Sequence, residues 1–458
     1  MSTRQEAIQA ARDWVSDGGF AADLGRLVAI KSESQRPGSQ GDLFDYLTNG
    51  IVPILDRLGF KHEIHTNPDG GPILTAVRIE DSALPTILIY GHGDVVNGQQ
   101  GLWDEGRDPF TVTRDGDRLY GRGTADNKGQ HLINLKALGF VLKTRGQLGF
   151  NVKCIIETGE ETGSAGLQDF ITNNRDTLAA DALIASDGPR LQPDIPTVFT
   201  GSRGAVNFTL SVNLREGANH SGNWGGLLAD PAILLTHALA TITDARGAIK
   251  IPEWRPNSLT PAIKDLLKDL PVGGGGAALS KDWGEPGLSP AERVFGWNSF
   301  AVLALDHGMP DAPQNAIAGN ASATCQLRFV VGTDEADILP ALRRHLDAHG
   351  FQMVKISAER GAAPATRLDP DNPWVHFTAA SLQETSGTQV HVLPNLGGFI
   401  PNHVFSETLG MPTIWVPHSY AGCAQHGPNE HVLLSVSQSA AAGMSGLFWD
   451  LANLNVAR

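Results

Sequence analysis

Three short apolar, β-rich runs, Thr86–Tyr90 (TILIY), Val152–Ile156 (VKCII) and Ala182–Ala185 (ALIA), predict strands. Between the first two, Leu132, Leu135, Leu138 and Val141 recur at helical spacing and predict a helix with one buried face. Further on, Val206, Phe208, Leu210, Val212 and Leu214 alternate with polar residues. A second alternating strand carries Ala323, Cys325, Leu327, Phe329 and Val331, with Arg328 facing outward. Asp230 and Pro231 read as the cap and first residue of a helix through Leu239, and Thr333 or Asp334 opens another that closes near Gly350. The runs LQPDIP (191–196) and GAAPATRLDPDNP (361–373) bracket this middle block, which therefore reads as an α+β insert with two helices on one face of an antiparallel sheet. The stretch Ile249–Asn298, with four glycines at 273–276 and three tryptophans, Trp254, Trp283 and Trp297, fits neither period and reads as an elaborated loop within the insert. The expected fold is α/β, with a domain in two parts, residues 1–198 and 366–458, around an insert at 199–365.

The chemistry sits where the strand runs end. His92 and Asp94 follow the first run, Glu157, Glu160 and Glu161 close or follow the second, and Asp187 in ASDGP follows the third. Open α/β sheets build their sites beyond the carboxyl ends of strands. With 15 histidines and 49 acidic residues, roughly one His-x-Asp is expected by chance, so position carries more weight than the pair itself. Asp126, in GRGTADNKG just before the predicted helix, could cap that helix. With His92 and further carboxylates converging, bridging two metal ions is the better reading, and His426 in QHGPNEH adds a nitrogen donor.

The chain has 458 residues, 41% of them apolar, enough for two or three domains with substantial cores. A net charge of −14 argues against a nucleic-acid partner. No apolar run is long enough to span a membrane, and the N-terminus is polar and helical rather than a signal peptide, so the expected home is the cytoplasm. Cys154, Cys325 and Cys423 form neither a disulfide framework nor a CxxC pattern; Cys423, three residues before His426, is close enough to the site to be sensitive to metal or oxidation. No G-x-S-x-G elbow, G-x-G-x-x-G or Walker loop occurs.

Seven segments match one family in order: YGHGDVV (90–96), Trp103 through GRDPFTV, LYGRGTADNKG (119–129), IETGEETGSAGL (156–167), ANHSGNWGGLLADP (218–231), GGFIP (397–401) and HGPNE (426–430). On them, the chain resembles the dinuclear zinc peptidases typified by carnosinase and the cytosolic nonspecific dipeptidase, relatives of aminoacylase and succinyl-diaminopimelate desuccinylase. The resemblance implies a mixed-sheet zinc-peptidase catalytic domain with an inserted α+β lid and dimerisation domain. It also implies two divalent ions, zinc first with manganese or cobalt as alternatives. One would be held by His92, Asp126 and Asp187, the other by Asp126, Glu161 and His426. Glu160 would then be the general base toward a water shared by the ions. Asp94 would orient His92 through its other ring nitrogen. His220 would reach the partner's active site in a homodimer formed through the lid, donating to the oxyanion. Arg328 and Asn315 would contact substrate, as would Gly397, Gly398 and Phe399.

The expected reaction is metal-dependent hydrolysis of an amide bond in a small molecule, a dipeptide or an N-acyl amino acid. Where carnosinase-type dipeptidases read Gly-Gly-Ser-Ile-Pro, this chain has Phe399, which removes a donor and adds apolar area. That departure keeps open an amidase or carboxypeptidase acting on a more apolar substrate without the usual dipeptide carboxylate. A binding homologue without turnover is a further alternative.

Overall fold

The computed structural model describes residues 3–272, 278–359 and 363–454; Gly273–Gly276 and the start of the 361–373 run, Gly361 and Ala362, lie outside the described residues. The three predicted strand runs lie together. In chain order the strands used below are β1 (Lys61–His65), β2 (Ile73–Arg78), β3 (Thr86–His92), β4 (Asn151–Glu157), β5 (Ala182–Ala185), β6 (Thr197–Phe199), β7 (Gly204–His220), β8 (Ser299–Asp306), β9 (Ala316–Phe329), β10 (Lys355–Ala358), β11 (His391–Leu393) and β12 (Thr413–Trp415). The main sheet has eight strands in the order β1-β2-β4-β3-β5-β12-β6-β11. β3 runs parallel to both β4 and β5, while β1, β2 and β4 are joined antiparallel, so the sheet is mixed. Ile87, Leu88, Ile89 and Tyr90 are all buried, because both faces of β3 are covered, and this is why the run is continuously apolar rather than alternating.

The predicted helix forms as Lys128–Arg145 and ends on Gly146 in the left-handed conformation (φ 85°), where a side chain would be disfavoured. Its burial is wider than one face: besides Leu132, Leu135, Leu138 and Val141, the polar Lys128, Gln130, His131 and Asn134 are buried. This helix packs with Arg4–Ser16 and Leu434–Asp450 over the main sheet, joining the two ends of the chain in one core.

The middle block folds as expected. β7 pairs with β9 from Gly204↔Phe329 to His220↔Ala316, with an irregularity between Asn213 and Ala218. The inward residues of both strands meet Leu235, Ala238 and Ile242 of the helix Pro231–Ile242, and Ile338, Ala341, Leu342 and Leu346 of the helix Ile338–Ala348. Asp230 caps the first of these, accepting from the backbone N–H of Ala232 and Ile233. Its sheet has four strands, β8-β9-β7-β10, and the edge strand β8 was not predicted.

The stretch Ile249–Asn298 departs from the expectation of a loop. It contains the short helices Pro261–Leu267, capped by Thr260, and Pro290–Phe295, opened by a capping box between Ser289 and Glu292. Their buried residues Ile263, Leu267, Ala291 and Phe295 share an apolar cluster with Tyr90, Phe199, Leu393 and Leu396 of the main sheet and its loops. They therefore reinforce the wall of the cleft rather than the insert alone. Among the described residues, no helix is long and apolar enough to cross a membrane.

Candidate active site

The parallel strands β3, β4 and β5 end on one edge of the main sheet, and the segments beyond them bring the predicted donors together. His92, the last residue of β3, is fully buried; its Nε2 lies 3.0 Å from Asp126 Oδ1 and 3.6 Å from Asp187 Oδ2. His426 Nε2 lies 3.0 Å from Asp126 Oδ2 and 3.1 Å from Glu161 Oε2. Asp126 thus offers one carboxylate oxygen to each histidine. Two groups of side chains have the spacing to hold a metal ion, His92 with Asp126 and Asp187, and Asp126 with Glu161 and His426. The capping alternative for Asp126 fails: the helix cap is Asn127, which makes no side-chain cap bond, while the Asp126 carboxylate also accepts from Gln425 Nε2.

The charges fit divalent ions. Burial alone would raise the Asp126 carboxyl, but the bonds from His426 and His92 outweigh it and hold it well below the usual carboxylate range. Burial and then Asp126 push Glu161 up to about 7 and Asp187 up to about 6. Glu160 is raised well above its ordinary value by burial, with Asp187, Asp126 and Glu161 adding to it against the pull of His92. The bonds from Asp126 and Glu161 raise His426 to about 10. Four carboxylates therefore crowd two imidazoles, and Glu161 Oε1 is buried without a hydrogen-bond partner among the described residues. Mixed nitrogen and oxygen donors with surplus negative charge suit divalent cations.

Asp94 does more than orient a ring. His92 Nδ1 lies 3.1 Å from its carbonyl and 3.4 Å from its carboxylate, and the carboxylate accepts the backbone N–H of Glu160 at 3.2 Å and of Glu161 at 3.1 Å. One buried carboxylate thus ties the histidine to the turn that presents both glutamates.

Sequence reasoning missed the supports behind Asp126. The buried Glu430 accepts from the backbone N–H of Gly123, Ala125 and Asp126, and from Arg122 Nη1 at 2.6 Å. Arg122 Nη2 in turn donates to the carbonyl of Gly427 at 3.0 Å. In the same loop Ala424, His426 and Asn429 have positive φ, which costs about 1–3 kcal/mol each and is sustained only by such bonds. On the other side, Asn127 Nδ2 donates to the Ser186 carbonyl, and its Oδ1 meets His131. Gly129 lets this loop close on itself, since a Cβ there would collide with the Thr124 carbonyl. The visible signals were the presence of Glu430 in the HGPNE segment and of Arg122 and Asn127 in LYGRGTADNKG.

The site opens into a cleft of about 940 Å³. Glu160, Gly397, Gly398, Phe399 and Arg328 all line it, the last contrary to a bland surface position. Arg328 Nε donates to Gln326, while its Nη1 is buried without a partner among the described residues. Most of the remaining wall is apolar, from Phe199, Val294, Phe295, Leu396 and Ile400. His220 and Asn315 are not among the cleft residues. They meet each other's neighbours at the far end of the insert, where the Asn315 carbonyl accepts from Ser221 and exposed His220 accepts from the Gly222 N–H. Cys423 is fully buried and its thiol is pushed up to about 11 by burial, so it packs as a neutral side chain and belongs to neither donor group.

Comparison with known proteins agrees with this geometry. Residues 88–449 match the model of peptidase family M20/M25/M40. The chain is 36% identical over 453 residues to a beta-Ala-His dipeptidase from Mus musculus, covering 90% of this chain and 89% of that protein. It is 27% identical over 389 residues to a cysteinylglycine-S-conjugate dipeptidase from Corynebacterium striatum, covering 83% of each. Among solved structures, an M20 family metallo-carboxypeptidase from Sulfolobus solfataricus has the same fold with a TM-score of 0.81 at 24% identity, covering 95% of this chain and 99% of that one. Human carnosine dipeptidase 1 superposes with a TM-score of 0.78 at 21% identity, over 98% and 99% of the two chains. The converging donors, the cleft and the match over most of the chain have one reading: this protein belongs to the M20/M25/M40 peptidases and is a metal-dependent peptidase.

Proposed function

We propose that the protein hydrolyses the peptide bond of a dipeptide or the amide bond of an N-acyl amino acid, with two divalent ions held by His92, Asp126 and Asp187 and by Asp126, Glu161 and His426. The observation that carries this reading is the sharing of Asp126 between two histidine-centred donor groups, one oxygen to each, beside Glu160 in an open cleft. When bound, such ions polarise the scissile carbonyl and lower the pKa of an attacking water. Zinc is the first choice, with manganese or cobalt as alternatives for the same donors.

Glu160 belongs to neither donor group yet lines the cleft beside both. Its raised proton affinity suits a group that takes a proton from the attacking water and returns it to the leaving amine. Asp94 holds the turn that aims it. Arg328, with Nη1 free, suits a substrate carboxylate, since a planar guanidinium can bind it in two places. The names of the two curated relatives, both dipeptidases, support this choice of substrate class.

Phe399 and the apolar wall favour a second reading, in which the substrate carries a larger apolar group and the activity is that of an amidase or carboxypeptidase. His220 and Asn315 fit the scheme only in a homodimer that assembles through the insert, taken as a lid and dimerisation domain over residues 199–365. Edge strand β8, with Val302, Leu303 and Leu305 exposed, is a surface suited to such pairing. Three unpaired buried cysteines suit a reducing compartment such as the cytoplasm. The test is hydrolysis of dipeptides, N-acyl amino acids and simple amides by metal-reconstituted protein beside Glu160→Ala. Turnover abolished in that variant supports the reading, and turnover that survives it removes Glu160 from the mechanism.

A further inference from the structure

A second cavity, of about 320 Å³, lies behind the segment that carries Asp187, between the strand end at Val416 and the helices Arg4–Ser16, Pro373–Ser386 and Leu434–Asp450. Arg190 lines it and also lines the catalytic cleft on the other side of the same segment. Arg190 is 2% exposed, and its guanidinium donates to the carbonyls of Pro417 (3.2 Å) and Pro193 (3.1 Å) and to Ser439 Oγ (3.4 Å). Among the described residues no carboxylate lies within ion-pair distance of it, the charge of Asp194 reaching it only from further away, and no hydrogen bond engages its Nη2. A buried cation without a counter-ion is costly, and proteins keep one where something else supplies the negative charge.

Arg12 enters the same cavity from the first helix. Only its backbone carbonyl is used, by Gln438 Nε2; among the described residues its guanidinium makes no hydrogen bond or ion pair. Ser435 and Ser439 also line it, the Ser435 hydroxyl donating to Asp117 and the Ser439 oxygen accepting from Arg190, and Asp194 is the one carboxylate among the lining residues. We propose that this cavity binds a small oxyanion, a carboxylate or a phosphate, between Arg12 and Arg190. The guanidinium of Arg12 and the uncommitted Nη2 of Arg190, from two residues that line one void, match an anion with two or three oxygens. The carboxylate could be that of a free amino acid, whose ammonium would meet Asp194, and the phosphate would be inorganic. Neither source depends on which amide the protein cleaves.

The test uses the full metal-loaded chain, titrated calorimetrically with inorganic phosphate and, separately, with glycine. Arg12→Gln should weaken binding of the preferred anion by about tenfold or more, the loss expected for one charge-assisted pair. Arg12→Lys, which keeps the charge, should recover part of it. A tighter response to phosphate names the inorganic anion, and a tighter response to glycine names the amino acid. Binding of equal strength in wild type and Arg12→Gln would place the anion at the metal centre instead and overturn the proposal. So would the absence of any binding of either compound at millimolar concentration.

Discussion

Glu430 accepts a hydrogen bond of 3.1 Å from the backbone nitrogen of Asp126, so the residue shared by both donor groups hangs from a carboxylate that immediately precedes the short strand His431–Leu433. The same carboxylate neutralises Arg122. Glu430→Ala strips the buried guanidinium of its partner and leaves three amides without an acceptor. The expected loss is about 3–5 kcal/mol of stability, the scale for breaking a buried pair. Thermal unfolding together with metal content by mass spectrometry checks it: both should fall, and unchanged metal content would separate Glu430 from the site.

Glu160→Ala should lower kcat by about 10²–10⁴ while leaving metal content and KM close to wild type, because the side chain belongs to neither donor group. Steady-state kinetics and metal analysis on one preparation decide it. Loss of metal in parallel with activity would make Glu160 a ligand.

Phe399 lies in the cleft wall, 6.1 Å between ring centroids from His403. Phe399→Ser removes apolar area worth about 1.5–3 kcal/mol to a substrate that covers it. The ratio of kcat/KM for an apolar over a polar dipeptide should therefore drop by about tenfold to a hundredfold. An unchanged ratio would mean that no bound substrate reaches the ring.

Without metal, stability should fall as pH rises from 6.5 to 8, above the range in which His131 and His418, held at about 3 by burial, add stability with rising pH. Burial and then Asp126 raise Glu161 to about 7 and Asp187 to about 6. A carboxyl with a raised folded pKa holds its proton longer in the folded chain, so its contribution is lost as pH climbs from its ordinary value of about 4. His426, raised to about 10 by Asp126 and Glu161, acts in the same direction: its contribution is full below about 6.5 and is lost towards 10. Metal binding needs deprotonated ligands and should reverse the trend. Melting curves at pH 6.5 and pH 8, with chelator and with zinc, test both signs. A chelated protein that melts higher at pH 8 contradicts the account.

If His220 serves a partner's site, His220→Ala and Glu160→Ala chains should each be nearly inactive alone. Mixed under conditions that exchange subunits, they should regain part of the activity through one intact hybrid site. Charge placed on the exposed edge, Leu303→Lys, should produce monomers in light scattering. No rescue despite proven heterodimers would end the shared-site reading.

The donors were legible because strands ending in His92, in Glu157 and two residues before Asp187 carry a strong local pattern, and a sheet edge gathers the residues just beyond its strand ends. The helix Pro231–Ile242 was equally legible from Asp230-Pro231. Strand β8 escaped because it is an edge exposed on both faces, so SFAVLALD has no alternation to reveal it. The helices at 261–267 and 290–295 are too short to show a period, although Ser289 and Glu292 spelled out a capping box. Arg122, Glu430 and the amide bonds of Asp94 could not be read, since they depend on backbone segments meeting in three dimensions. Asp126 and Glu430, 304 positions apart, have no shared local pattern.

The order of donors along the chain also sets a schedule for biosynthesis. By Asp187 a nascent polypeptide has produced every side chain of the first donor group, but the second waits for His426 and the shared carboxylate waits for Glu430. A ribosome-bound chain that has just released the insert can thus offer only a half-built and unanchored centre. Full metal loading would wait until residue 430 has been made, and a chain stopped shortly before residue 426 would hold an incomplete centre however well its insert had folded.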